Sequence, residues 1–315
     1  MPVLFAGSPQ LAVPSLEAVH RGQRIAAVLT NPDRPSGRRS APVPTPVKAR
    51  ALELGLPVLQ PERLDEAFLR DVKALGCELL VVAAFGRIFP NEFLKLFPQG
   101  GINMHPSLLP RHRGPSPIPA AILAGDPESG VTVQRVATKM DSGDILRVRR
   151  LSLAGNETTG SLLITLGGIG AELLAETLEQ MEWGELAGTP QEEAQATYCR
   201  IVRKQDGRID WEKEPAHIER MIRAYQPWPG AFTSFHGMTL HLLAGGVYPQ
   251  AEPVPDVARG LVLGSDTRYG ILVRAGQGVL FVTRLQLQAK KPMDWQPFLN
   301  GRKDFVGARL GVDND

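Results

Sequence analysis

Short apolar runs alternate with longer segments of helical period through the first 150 residues, and this alternation constrains the fold more than any other feature of the chain. Short apolar strands joined by helices are typical of a mostly parallel sheet with helices on its faces. We therefore predict an α/β domain with an open, mostly parallel, Rossmann-like sheet. The predicted strands are PVLFAG at 2–7, RIAAVLT at 24–30, LLVVAAF at 79–85, GINMH at 101–105 and VTVQRV at 131–136.

The second half of the chain has a different pattern, which begins after Tyr198. Residues 214–225 have helical spacing, and the QPWPG segment that follows ends the helix. Short apolar runs at hairpin spacing come next, separated by Gly, Asp and Pro, which is typical of a small β-barrel of the OB type. With the acidic, small-residue stretch that begins at 185, this pattern predicts a Rossmann-like domain over 1–184, a linker over 185–203 and an OB-like β-barrel over 204–315.

The sequence favours a cytoplasmic protein. The amino terminus, MPVLFAG, lacks the basic region and the cleavage site of a signal peptide. The longest uncharged stretch, 224–251, is interrupted by prolines, glycines and histidines, so we expect no membrane segment. Cys77 and Cys199 are isolated, and no His or Cys has ligand spacing. We therefore expect neither a disulfide nor a metal site. We also expect a monomer.

Residues 31–46, NPDRPSGRRSAPVPTP, contain five prolines and almost no large apolar side chains. A segment of this composition is predicted to be an exposed loop. A stretch without Asp or Glu, 34–52, begins within this segment, although the net charge of the whole chain is only +2. The local positive field would attract a polyanion. The basic residues of the stretch are Arg34, Arg38, Arg39, Lys48 and Arg50.

Two hydrogen-bonding side chains, Asn103 and His105, stand two residues apart in a predicted strand, so they share one face of it. Pro106 ends that strand, and open parallel sheets bind ligands at the carboxyl ends of their strands. An imidazole exchanges protons near neutral pH, and an amide can donate to an oxygen that gains charge. The alternative is that the histidine is a satisfied core residue.

A turn with two acids, Asp141 and Asp144, follows the strand VTVQRV. We expect it at the same sheet edge as Asn103 and His105. An amide, an imidazole and a carboxylate in one place suit acyl transfer to an amine, which needs a stabilised tetrahedral intermediate and a route for a proton. The alternative is ordinary turn chemistry, because Asp, Ser and Gly are common turn residues.

The segments GINMHPSLLPRHRGPSPI and MDSGDIL closely resemble the core of the formyltetrahydrofolate-dependent formyltransferases. The resemblance implies that Asn103, His105 and Asp141 are catalytic and that 10-formyltetrahydrofolate is the co-substrate. It extends over nearly the whole chain, through FAGSP at 5–9, NPDRPSGR at 31–38, VVAAFGRIFP at 81–90, GRIDW at 207–211, IRAYQPWPGA at 222–231 and FLNGR at 298–302.

The same resemblance implies a place for each substrate. The branch of the family with the basic loop and a second domain formylates the methionine carried by initiator tRNA, so the barrel would bind tRNA and the N-terminal domain would be catalytic. The residues implied for the tRNA are Arg34, Arg38, Arg39 and Lys48. Those implied for the folate are Phe85, Gly86, Ile88, Ser107, Leu108, Leu109 and Pro110.

Three other functions stay open at this point. Sugar-nucleotide formyltransferases also have a second domain, so the acceptor could be a sugar-nucleotide amine. A catalytically silent RNA-binding protein could have inherited the fold, although the intact Asn103, His105 and Asp141 disfavour it. A folate hydrolase would use water in place of the amine, and the basic loop and barrel would then have no evident purpose.

Overall fold

The computed structural model describes residues 1–35, 41–184, 186–249 and 256–312. Its contacts divide the chain into two compact units. The first contains Met1–Ile118, Pro127–Leu153 and Ser161–Arg200, and the second contains Pro119–Asp126, Ala154–Gly160 and Ile201–Asp315. Most of the segment predicted as a linker, from 186 to 200, therefore packs within the first unit.

The first unit is built on a sheet of seven strands in the order β5-β2-β1-β6-β7-β8-β9. The first five strands of this order are parallel, and β8 and β9 are antiparallel to their neighbours. This confirms the predicted open, mostly parallel, Rossmann-like sheet. The strands are β1 Pro2–Gly7, β2 Arg24–Leu29, β5 Val58–Leu59, β6 Leu79–Ala83, β7 Gly101–His105, β8 Glu128–Arg135 and β9 Ile145–Ser152, and a separate hairpin pairs β3 Arg34–Pro35 with β4 Pro42–Val43.

Helices connect these strands, and local sequence signals start them. The Thr45 hydroxyl accepts a hydrogen bond from the Lys48 N–H at 3.1 Å, and the Asp65 carboxylate accepts one from the Phe68 N–H at 3.0 Å, so both residues are N-caps. The helices are α1 Val13–Gly22, α2 Pro46–Glu53, α3 Glu66–Ala74, α4 Asn91–Leu94, α5 Pro117–Ala124 and α6 Thr159–Trp183.

Helix α6 is long and apolar enough to cross a membrane, but half of its most apolar 18-residue segment is buried inside the protein. Its Gly170 lies so close to Met104 of β7 that a Cβ there would stand 2.9 Å from the thioether sulfur. On β9, Arg149 forms ion pairs with Glu172 and Glu176 of the helix. Helix α6 therefore packs as a core helix of the first unit, with two of its acids paired to arginines of the sheet.

An aromatic cluster supports the chain after β6. Phe85 stacks on Phe89 with ring centroids 5.3 Å apart, Phe89 stacks on Phe93 at 5.1 Å, and Phe93 packs edge-on against Phe97. All four rings are buried. The backbone at the end of β6 is thereby fixed from below, at the edge of the sheet where β7 also ends.

The second unit is an antiparallel sheet in the order β10-β11-β14-β13-β12. Its two edge strands are bridged by the chain from 307 to 311: the Gly307 N–H donates to the Val262 carbonyl of β12 and the Gly311 N–H donates to the Ser234 carbonyl of β10, both at 2.9 Å. The sheet is thus closed into the predicted small barrel. The elements are α7 Pro215–Ala224, β10 Ala231–Phe235, β11 Met238–Val247, β12 Val262–Asp266, β13 Gly270–Ala275, β14 Gly278–Leu287, β15 Met293–Asp294 and α8 Trp295–Gly301.

Candidate active site

Strand β7 presents Asn103 and His105 on one face, as the alternation of its residues predicts. It lies between parallel β6 and antiparallel β8, and its register places Asn103 opposite Gln134 and His105 opposite Thr132. His105 is buried, with 4% of its surface exposed, whereas Asn103 is half-buried. The pair therefore stands at the end of a central strand, with polar side chains of β8 beside it.

The turn between β8 and β9 brings Asp141 to this pair. Its Oδ1 accepts hydrogen bonds from Asn103 Nδ2 at 3.3 Å and from Gln134 Nε2 at 3.1 Å. Its Oδ2 accepts one from the Gly114 N–H at 2.8 Å and lies 3.6 Å from His105 Nδ1. The structure therefore brings together the three residues that the sequence singles out, around one carboxylate.

Both ring nitrogens of His105 face oxygen acceptors. Nδ1 faces the Asp141 carboxylate, and Nε2 lies 3.0 Å from the backbone carbonyl of His112. A carbonyl can only accept, so Nε2 carries a proton, and a second proton on Nδ1 would be directed at the carboxylate. His105 is thus held between a backbone carbonyl and a carboxylate, one beside each ring nitrogen.

Asp144, the second acid of the turn, does not join the site. It is exposed, its carbonyl accepts a hydrogen bond from the Arg135 N–H at 2.9 Å, and it lies beside Gly188. Its position is that of a turn residue at the start of β9.

The loop after β7 is built around Ser107 and Thr132. The Ser107 hydroxyl donates to the Arg111 carbonyl and the Thr132 hydroxyl donates to the Ser107 carbonyl, each at 2.7 Å, and Thr132 also accepts from the Leu109 N–H. Ser107 and Leu109 are buried, and Leu108 and Pro110 are half-buried. Of the four residues implied for the folate in this loop, Leu108 and Pro110 thus offer the accessible surface.

The residues implied for the folate after β6 are also differently exposed. Phe85 is buried in the aromatic cluster and its carbonyl accepts a hydrogen bond from Asn31 at 2.8 Å. Gly86 has a φ of +77°, a conformation that favours glycine, and Ile88 is 68% exposed. Gly86 also lines a cavity of about 540 Å³, together with Asn31, Arg34 and Arg87.

The basic stretch lies beside that cavity. Arg34 is exposed in the β3–β4 hairpin, and Lys48 donates to Asp33 at 2.5 Å. Hydrogen bonds from Gln60 and from Lys48 lower the pKa of the Asp33 carboxyl. Arg38 and Arg39 lie outside the described residues. Arg34 is thus exposed, while the Lys48 ammonium has an anionic partner in Asp33.

Sequence reasoning missed the residues that hold the triplet in place. Gln134 and Gly114 donate to Asp141, and Gln191, in the predicted linker, donates to the Asp141 carbonyl at 2.9 Å. Arg113 is fully buried and donates to Gln191 Oε1 at 3.0 Å. The arginine lies within a segment that the resemblance includes, but no sequence signal marks the glutamine, because only the fold brings it to the site.

Charged groups surround the buried arginine. Hydrogen bonds from Lys139 at 2.6 Å and from Arg113 at 2.7 Å lower the pKa of the Glu193 carboxyl to about 2. Burial raises the pKa of the nearby Cys199 thiol, which donates to the Arg113 carbonyl. Glu193 is thus ionised at neutral pH, whereas the thiol is protonated. Among the residues that the structure describes, no cluster of three His, Cys, Asp or Glu side chains could hold a metal ion.

Comparison with known proteins shows which family the chain belongs to. A family model described as "Formyl transferase" matches residues 2–178, and one described as "Formyl transferase, C-terminal domain" matches residues 201–303. The methionyl-tRNA formyltransferase of Treponema denticola is 43% identical over 316 residues, covering 97% of this chain and 98% of that protein.

Solved structures show the same fold at lower identity. The sugar 3N-formyl transferase WlaRD, determined with dTDP and 5-N-formyl-THF, is 17% identical with a TM-score of 0.66, covering 92% of this chain and 99% of that one. HypX from Aquifex aeolicus, determined with tetrahydrofolic acid, is 19% identical with a TM-score of 0.62. The match covers 96% of this chain but only 48% of HypX.

The family models cover both units, and the relative from Treponema denticola matches nearly end to end. The chain belongs to the formyl transferase family, in the branch of the methionyl-tRNA formyltransferases.

Proposed function

We propose that the protein transfers the formyl group of 10-formyltetrahydrofolate to the amino group of methionine on initiator methionyl-tRNA, in the cytoplasm, for translation initiation. The observation that carries the proposal is the cluster of Asn103, His105 and Asp141 at the end of β7, in a chain of this family. The full-length similarity to methionyl-tRNA formyltransferases favours that acceptor.

Asn103 and His105 would stabilise the intermediate. When the methionyl nitrogen attacks the formyl carbon, the C=O π electrons move onto oxygen and a tetrahedral oxyanion forms. The Asn103 amide has two protons and directs one at Asp141, so the second can be donated to that oxyanion. Both nitrogens of His105 contact protein oxygens, so in this arrangement the ring would act through its positive charge.

Asp141 would take part in proton transfer. The attacking amine becomes a cation and must lose a proton, while N10 of the folate must gain one before it leaves as tetrahydrofolate. The Asp141 carboxylate accepts three hydrogen bonds and is thereby held in place. It would hold the positively charged His105 ring and pass the proton from the amine to N10, directly or through water.

The folate would lie between the loops that follow β6 and β7. Gly86, Ile88, Leu108 and Pro110 would contact it, because they are the exposed or half-buried members of the implied set. Ser107, Leu109 and Phe85 would shape the pocket from beneath, since their side chains are buried. No metal has a part in this scheme.

The tRNA would be bound through its phosphates. Arg34, Arg38 and Arg39 would contact the acceptor stem, with Lys48 fixing the base of the loop through Asp33, and the β-barrel would hold the nucleic acid further along. We propose the protein as a monomer with an N-terminal catalytic domain and a C-terminal tRNA-binding barrel.

The test is formyl incorporation from 10-formyltetrahydrofolate into three acceptors: methionyl initiator tRNA, methionyl elongator tRNA and an amino-sugar nucleotide. We expect the initiator to be formylated far faster than the other two. Transfer only to the sugar nucleotide would keep the site but replace the acceptor, and no transfer to any of the three would refute the proposed function.

A further inference from the structure

Gln191 connects the segment 191–199 to the turn that carries Asp141. Its side-chain nitrogen lies 2.7 Å from the Gly143 carbonyl, 2.9 Å from the Asp141 carbonyl and 3.1 Å from Gln134 Oε1. A carboxamide nitrogen has two protons, so at least one is shared between acceptors. One side chain therefore fixes the backbone on both sides of Ser142 and the amide of Gln134.

These contacts matter because of the conformation of Asp141. Its φ is +52°, in the left-handed region that residues other than glycine adopt infrequently. The contact to Gln134 adds orientation: with Oε1 facing Gln191, the Gln134 Nε2 faces the Asp141 carboxylate. Gln191 thus supports both the backbone and, through Gln134, the side chain of Asp141.

Arg113 fixes Gln191 in turn. Its Nε donates to Gln191 Oε1, and its Nη1 donates to Glu193 at 2.7 Å and to the Tyr198 hydroxyl at 2.8 Å. The guanidinium is fully buried, so these partners are required to offset its loss of water. Because Oε1 must face the arginine, the Gln191 nitrogen must face the turn.

The same segment also supports the partner of His105. The His112 N–H donates to the Thr197 hydroxyl at 2.8 Å, and the Arg113 N–H donates to the Thr197 carbonyl at 2.9 Å. His112 supplies the carbonyl that faces His105 Nε2, and the next residue but one, Gly114, donates to Asp141. Residues 191–199 therefore support the contacts of both His105 nitrogens.

We propose that Gln191 is a positioning residue for Asp141, and that the buried Arg113 sets its orientation. The proposal rests on the proposed function, because it assigns Asp141 a part in formyl transfer. It does not place Gln191 in contact with either substrate. Removing its donor should therefore lower turnover without weakening substrate binding.

The test is steady-state formylation of methionyl initiator tRNA by Gln191→Leu and Gln191→Glu, with melting temperatures measured alongside. Leucine keeps the volume but removes every polar contact, and glutamate keeps an oxygen for Arg113 while placing another oxygen against the three carbonyl acceptors. We expect kcat to fall roughly 10- to 100-fold in both variants, with each KM within about twofold of wild type. Gln195→Leu, an exposed glutamine of the same segment, is the matched control.

The outcomes separate the two proposals. A wild-type protein that formylates no acceptor refutes the proposed function and with it the role of Gln191. If wild type is active, three results overturn the role of Gln191 alone: full kcat in Gln191→Leu, a raised KM with unchanged kcat, or full activity in Gln191→Glu, which would show that only the pairing with Arg113 matters. If the leucine variant fails to fold, the glutamate variant and Gln191→Asn decide the question by the same comparison of kcat and KM with wild type.

Discussion

The Asn103 side-chain amide donates to Oδ1 of Asp141 at 3.3 Å, although 38 residues separate the two in the chain. This contact orients the amide, and in the proposed mechanism its second proton is donated to the oxyanion. Asn103→Ala should lower kcat by at least ~10², which is what a single oxyanion donor is worth. The melting temperature should change little, since Asn103 is only half-buried. Asn91→Ala, at an exposed position, is the control, and an active Asn103→Ala protein would show that the site is elsewhere.

The two acids of the β8–β9 turn allow a matched comparison. Asp141→Asn keeps the size of the side chain but removes the charge that faces His105 and the base that accepts a proton. We expect its kcat to fall by ~10² or more, as for other acid–base groups. Asp144→Asn, three residues along and exposed, should retain wild-type activity. Equal kcat values for the two variants in the same formylation assay would contradict the role given to Asp141.

The sheet could be predicted from the sequence because its central strands are uniformly apolar. Residues 79–83 are all buried, and such runs are typical of strands covered on both faces. Strand β9 was missed for the opposite reason: ILRVRRLS carries three arginines, and its burial is that of an edge strand with one face toward solvent. Strand β5 has only two residues, too few to form a pattern.

The site was predictable only where neighbouring residues carry the signal. Asn103 and His105 share a face by simple alternation, and the following proline marks the strand end. Gln191 gives no such signal, because it lies in a polar stretch that resembles a linker and reaches Asp141 only when the chain folds back. The long-range hydrogen bond from Gln191 to the Asp141 carbonyl, across 50 residues, could not be inferred from composition or spacing.

Substitutions in the basic stretch should weaken the binding of a nucleic-acid acceptor and no other substrate. Arg34→Ala and Arg38→Ala should each raise KM for methionyl-tRNA, leave KM for the folate unchanged and reduce the salt dependence of tRNA binding by about one phosphate contact. The measurement is KM for tRNA at several salt concentrations. Arg70→Ala, an exposed arginine of α3, is the control. If the folate KM rose instead, the loop would belong to the co-substrate site.

Two glycines should respond oppositely to alanine. At Gly143 a Cβ would lie 1.8 Å from the Arg135 carbonyl oxygen, so Gly143→Ala must displace the turn that carries Asp141. We expect the free energy of unfolding to fall by about 1–3 kcal/mol and kcat to fall with it. At Gly168, inside α6, a Cβ meets nothing within 4 Å. Gly168→Ala should therefore increase the free energy of unfolding by about 0.5–1 kcal/mol. Urea unfolding of both variants measures this, and a stabilised Gly143→Ala protein would contradict the close contact.

Glu193 should make stability depend on pH in the acid range. Hydrogen bonds from Lys139 and from Arg113 lower its pKa from the ordinary 4.5 to about 2. The unfolded chain therefore takes up a proton at this residue before the folded chain does, so the stabilisation is complete above pH 4.5 and is lost as the pH falls toward 2. Glu193→Gln should melt below wild type at pH 7, and the difference should shrink steadily when melting is repeated between pH 4.5 and 3. The control is Glu192→Gln, at the adjacent exposed glutamate, whose melting temperature should stay close to wild type at pH 7. If the melting temperature of Glu193→Gln were lower than wild type by the same amount at every pH, the lost stability would come from packing and not from the charge.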